Sequence, residues 1–143
     1  MKTIKLDMYI KYGLVLISLV FLVLSFSSCA KKITFLTSKV VPAARGDVMV
    51  KKDKNKNYDI KLELSYLAEP NRLLPPKNAY VVWLVSDESD IPINLGQIVG
   101  TSKLNIKFET VSSSKPKRIF ITAEEDPSIQ YPGDMVVLES NNF

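Results

Sequence analysis

Ile60, Leu62, Leu64 and Tyr66 alternate with Lys61, Glu63 and Ser65. A period of two suits a β-strand, whose successive side chains point to opposite faces, and not a helix, whose stripe recurs every three to four residues. The segment therefore reads as a strand with an apolar core face and a wet face. Val48 and Val50 alternate in the same way, and between the two segments lies the polar tip Asp53-Lys54-Asn55-Lys56-Asn57. Asn and Asp favour tight turns, so the pair is expected to form a hairpin. Further short strands are expected at 79–85, 93–99, 104–108, 118–123 and 135–139. Residues 79–85 are apolar on both faces, as in a central or doubly covered strand. No helical period of useful length follows Cys29, and no internal repeat is present. About seven short antiparallel strands punctuated by turns argue for a single all-β sandwich after an N-terminal signal helix.

The connections carry the irregular chemistry. Residues 68–78 (AEPNRLLPPKN) contain Pro70, Pro75 and Pro76, which remove backbone donors and favour polyproline geometry, so the ladder stops there. Within this loop Arg72, Leu73 and Leu74 are the candidate partner-binding residues. The two leucines either plug the end of the core or, if exposed, form a protein-docking edge.

Composition excludes several kinds of chemistry. The 143-residue chain has no histidine and one cysteine. It thus lacks the commonest general base near neutral pH and the commonest metal ligand, and neither an intramolecular disulfide nor a thiolate zinc site can form. The formal charge is +4; setting aside Lys2, Lys5, Lys11 and Asp7 leaves +2, too small to point to nucleic acid. No Gly-x-Ser-x-Gly or helical Ser-x-x-Lys is present, so Ser112-Ser113-Ser114-Lys115 reads as a loop rather than a catalytic pair. No enzyme activity, cofactor, metal or small-molecule substrate is expected. Trp83 is expected as a core residue. Glu124, Glu125, Asp126 and Asp134 read as a solvated acidic loop in preference to a calcium site, and Asp87, Glu88 and Asp90 as a charged hairpin tip.

The first 28 residues differ from the rest. A basic start is followed by the run LVLISLVFLVLSF at 14–26 and by Ser27-Ser28-Cys29. A charged start, an apolar core of 7–15 residues and a small-residue exit describe a secretory signal peptide; a spanning helix usually needs about 20 apolar residues. Phe26-Ser27-Ser28-Cys29 resembles the lipobox of bacterial lipoproteins, with Phe26 where Leu is more usual. The resemblance implies cleavage between Ser28 and Cys29, with the Cys29 thiol carrying diacylglycerol and the new amino terminus acylated. One acyl chain holds a protein marginally and two or more hold it stably. The expected organisation is a signal peptide at 1–28, a lipidated tether at 29–44 and the β-sandwich at 45–143. Ala30 after the cysteine resembles the pattern of lipoproteins released to the outer membrane, and a periplasmic orientation is expected.

From Val48 to Leu138 the chain resembles the extracytoplasmic C-terminal domain of the anti-sigma-K factor family. Tyr80-Val81-Val82-Trp83-Leu84 is similar to that family's Tyr-x-x-Trp-Leu strand, and Leu95-Gly96 to its Leu-Gly pair. Phe120-Ile121-Thr122-Ala123-Glu124 is similar to its apolar-Thr-x-Glu strand. Tyr131-Pro132-Gly133 followed by Val136-Val137-Leu138 resembles its closing segment. Where the family has paired glycines, this chain has Glu125-Asp126-Pro127-Ser128. The zinc-binding cytoplasmic half has no counterpart. The resemblance implies the fold of the sensor half without sigma-factor inhibition. The functional expectation is a non-enzymatic, membrane-anchored accessory module with an envelope protein partner, the alternative being a structural or carbohydrate-binding outer-membrane lipoprotein.

Overall fold

In the computed structural model, residues 10–15, 17 and 30–143 are described. Residues 10–15 and 17 are helical. The remainder is a sandwich of two antiparallel four-stranded sheets. The strands are β1 (Lys31–Thr34), β2 (Arg45–Lys52), β3 (Tyr58–Ser65), β4 (Ala79–Ser86), β5 (Ile93–Ile98), β6 (Asn105–Ser112), β7 (Pro116–Glu124) and β8 (Val136–Glu139). One sheet has the order β1-β2-β3-β6 and the other β5-β4-β7-β8. The all-β sandwich is as the alternation requires, with eight strands rather than about seven.

The expected hairpin forms, with Val48 opposite Leu62 and Val50 opposite Ile60. Its apolar set, Val48, Ile60, Leu62 and Leu64, faces Tyr80, Val82, Leu84, Ile119 and Ile121 across the sandwich. All of these are at most 2% exposed. Tyr66 departs from the pattern. β3 ends at Ser65, and Tyr66 adopts φ of 56°, a left-handed conformation that leaves its ring 57% exposed.

The extra strand comes from the segment read as a tether. β1 pairs along β2, Ile33 opposite Val48, with Lys32 bridging to Asp47 at 3.1 Å and the Thr34 hydroxyl donating to the same carboxylate at 2.7 Å. That hydroxyl bond holds the Asp47 carboxyl below the usual carboxylate range, and Lys32 adds to the effect against a smaller cost of burial. Beyond β1 the chain crosses to the second sheet: the Phe35 N–H donates to Gly46 and the Leu36 N–H to Glu139 of β8. The Phe35 ring packs over Gly46, where a Cβ would stand 3.1 Å from that ring and 2.5 Å from Leu64. Phe35, Val41 and Ala44 belong to the core. The tether expected at 29–44 is therefore corrected: from Lys31 onward the chain is part of the sandwich. Its four-residue strand is mostly exposed, so local apolar alternation could not reveal it.

β4 is buried along all eight residues. Its inward set, Tyr80, Val82 and Leu84, enters the core between the sheets. Its outward set, Val81, Trp83 and Val85, forms a second cluster with Phe120 beneath Ile129. Trp83 is thus buried as expected, but on the outer side of its sheet, stacked on Phe120 at 6.3 Å.

If residues 35–44 are structural, Phe35→Ala should lower unfolding free energy by about 3–5 kcal/mol, as for a buried aromatic. Lys39→Ala, exposed on the same segment, should change it by no more than about 0.5 kcal/mol. Urea denaturation followed by tryptophan fluorescence measures both.

Candidate functional site

The loops gather at two ends of the sandwich. At one end lie Ala30, the 53–57 hairpin tip, and the turns at 87–92 and 113–115. At the other lie segments 41–44, 66–78, 99–104 and 125–135. Strand register fixes this division: Lys31 is opposite Val50, and Tyr58 opposite both Lys52 and Ser112. Eight-residue strands separate the two ends by roughly 25 Å at about 3.3 Å per residue.

The end away from Ala30 carries the proline-rich loop. Its shape follows from three attachments. Pro70–Arg72 form a single 3₁₀ turn, and the Pro70 carbonyl accepts from the N–H of Leu73 and of Lys77. The buried Tyr80 hydroxyl donates to the Ala68 carbonyl at 2.9 Å. The Asn78 side chain donates to the Glu125 carbonyl and carboxylate, where Lys77 also bridges at 3.2 Å. Together these hold Leu73 inward at 6% exposure and leave Leu74 outward at 92%. The candidate trio is therefore divided. Leu73 plugs the core, Leu74 is presented to solvent, and Arg72 is tied to Glu69 at 3.3 Å.

Leu74 stands at a cleft of about 500 Å³, lined also by Val40, Val41, Pro42, Leu73 and Met135. A second cleft of about 280 Å³ lies on the other side of Arg72, with Tyr66, Glu69, Lys103 and Leu104 on its walls. Arg72 and Ala68 line both, so Arg72 borders a largely apolar groove on one side and a mixed one on the other. Val40, Pro42 and Met135 carried no signal as site residues in the sequence, because they come from segments far apart in the chain.

The acidic loop 124–134 is not organised for a metal. Among the described residues no group of three or more Asp, Glu, His or Cys side chains could hold one. Glu124 turns inward, accepting from the Thr122 hydroxyl and from the Gly133 N–H at 2.8 Å. Thr122 in turn accepts the Trp83 indole N–H at 2.8 Å. Gly133 is needed for this approach, since a Cβ there would lie 2.7 Å from the carboxylate. Glu125 is used by Lys77 and Asn78, and Asp126 accepts from Ser128, which draws its carboxyl below the ordinary range. Asn94 completes the attachment, donating to the carbonyls of Pro127 and Ile129. The loop is thus a lid over Trp83.

Other candidates resolve similarly. The acidic tip pairs with basic residues on either side of the first residue of β7, Asp87 with Lys115 and Asp90 with Lys117. Ser112 hydrogen-bonds within its own turn to Ser114. Lys115 therefore faces a carboxylate rather than a serine hydroxyl. Ser28 and Cys29, the expected cleavage and lipidation residues, lie outside the described residues. Among the described residues no helix is long and apolar enough to cross a membrane. No family model, curated protein or solved structure matches the chain.

Burial pushes the Tyr80 hydroxyl up to about 12. A proton held more tightly in the folded state stabilises it fully below the unfolded value near 10, and this stability is lost as pH rises from about 10 towards 12. Tyr80→Phe should cost about 1 kcal/mol at pH 7 through the lost bond to Ala68. It should also flatten the alkaline decline relative to wild type, read from urea midpoints between pH 7 and 11.5.

Proposed function

We propose that this chain is a lipid-anchored protein of the bacterial cell envelope. Its sandwich works there as a non-enzymatic accessory module that docks another envelope protein. The observation that carries the anchoring is the sequence itself. The apolar run at 14–26 ends in Phe26-Ser27-Ser28-Cys29, and the chain holds no other cysteine. A thiol in that position, with no disulfide or metal partner available to it, suits thioether acylation. The leader directs the domain across the inner membrane, and Ala30 fits release to the outer membrane with the domain facing the periplasm.

Two features support a docking role. The Leu74 groove lies at the end of the sandwich opposite Ala30, so an anchor at Cys29 leaves it facing away from the lipid. Leu74 is also held outward by a loop pinned at Ala68, Pro70 and Asn78, which lowers the ordering cost of binding. The residue-level resemblance to an anti-sigma sensor domain favours a regulatory or stress-linked setting over a catalytic one.

Growth with an alkyne-bearing fatty acid should label the wild-type protein, and Cys29→Ser should abolish the label. Retention of label in that variant would contradict the anchor. A photoreactive side chain at position 74 should yield a discrete protein adduct in intact cells, whereas the same group at Lys61 on a sheet face should not. Adducts of equal yield from both positions, or recovery of polysaccharide without protein, would contradict the docking role.

A further inference from the structure

We infer that the end of the sandwich next to Ala30 is a docking face for the headgroups of an anionic lipid bilayer. It would hold the domain upright on the membrane in which its anchor sits. The inference rests on the proposed lipid anchor for its setting, but its chemistry comes from a different part of the molecule.

The face is built by β1, the β2–β3 hairpin, and the start of β7. Lys31, Lys52 and Lys115 surround a pocket of about 250 Å³ whose floor is Val50, Tyr58, Pro116 and Phe143. Two of the ammonium groups lie over aromatic rings, Lys31 at 5.4 Å from Phe143 and Lys52 at 5.6 Å from Tyr58. These contacts hold long side chains against an apolar floor while their charged ends stay at the surface. Lys51, Lys54 and Lys56 extend the positive edge along the hairpin, and all three are exposed.

Among residues 30–143, Lys31, Lys51, Lys52, Lys54 and Lys56 form no ion pair, and of the other lysines only Lys39 and Lys103, at the opposite end, are likewise unpaired; Lys32, Lys61, Lys77, Lys107, Lys115 and Lys117 all pair. The carboxylates at this end do not cancel them. Asp87 and Asp90 are paired with Lys115 and Lys117, which leaves Asp53, Asp59 and Glu88 against the five unpaired lysines. The excess of free ammonium groups thus gathers on the edge where the chain arrives from its apolar leader. The 29 residues before Ala30 include that apolar run, and Lys31 is the first residue of β1. Ammonium groups over an apolar floor match a layer of phosphates above acyl chains. Each lysine near such a surface is worth roughly a fivefold gain in partitioning, screened within about 10 Å at 0.1 M salt.

The test uses the mature lipoprotein, extracted from membranes and reconstituted into vesicles. Single spin labels are placed at Asn55→Cys on the hairpin tip and at Leu74→Cys on the opposite end. Accessibility to a water-soluble relaxation agent is then compared in neutral phosphatidylcholine vesicles and in vesicles containing phosphatidylglycerol. The label at position 55 should be protected severalfold more than that at 74 in the anionic vesicles. Protection should fall to the neutral-vesicle value at 1 M salt or in the Lys31→Gln, Lys52→Gln, Lys115→Gln variant. These three side chains are exposed, so their loss spares the core, and the salt arm needs no substitution. Equal accessibility at the two positions, or protection indifferent to lipid charge, would overturn the inference. Fatty-acid labelling of the same preparation reports the anchor separately. An acylated protein whose hairpin stays fully accessible defeats the docking face alone, and a protected hairpin on an unacylated protein defeats the anchor alone.

Discussion

A strand whose two faces are both apolar must be covered twice, and β4 imposes that requirement on the rest of the sandwich. Its inner face is met by the opposing sheet through Ile60, Leu62 and Leu64. Among the described residues its outer face has no third sheet to meet it, and leaving Trp83, Val81 and Val85 in water would forfeit about 1.5–3 kcal/mol for each. The cover is instead the loop after β7, drawn down by a chain of hydrogen bonds from the Trp83 indole through Thr122 and Glu124 to the Gly133 backbone. Every buried polar atom in that chain has a partner, which is the condition for placing a carboxylate so deep. The same loop grips the proline-rich segment through Glu125, so the cover of β4 also positions Leu74.

Trp83 of β4, Thr122 and Glu124 of β7 and Gly133 of the following loop form one hydrogen-bonded unit. Tyr80 anchors the adjacent loop. Together these contacts hold the loop after β7 and the proline-rich loop against β4.

Most of the sandwich was legible in the residues. Alternation over 60–65 and the doubly apolar run at 79–85 gave strands where strands stand, because burial on one face or on both is written locally in such segments. The failures share a cause. β1 carries only Ile33 as a partly buried apolar residue, and its place depends on the partner strand and on Asp47. Tyr66 continues the alternation by type, yet the backbone turns left-handed there and reverses its side chain. Leu73 and Leu74 are identical neighbours with opposite fates, decided by how the loop is pinned rather than by composition. The groove beside Leu74 was illegible for the same reason, since Val40, Pro42 and Met135 meet only once the chain is folded. The lysines around Tyr58 and Phe143 likewise come from β1, β2 and the turn before β7.

What gives the molecule a direction is the separation of its ends. Ala30 and the unpaired Lys31, Lys51, Lys52, Lys54 and Lys56 occupy one end, and the clefts around Arg72 the other. A short, rigid sandwich between them turns a point of attachment into an orientation, provided that the attachment is at Cys29. Intact-mass measurement of the protein extracted from membranes tests that condition most directly. The expected mass is that of residues 29–143 plus diacylglycerol and an amide-linked acyl chain. A mass equal to residues 1–143 with a free thiol would contradict it.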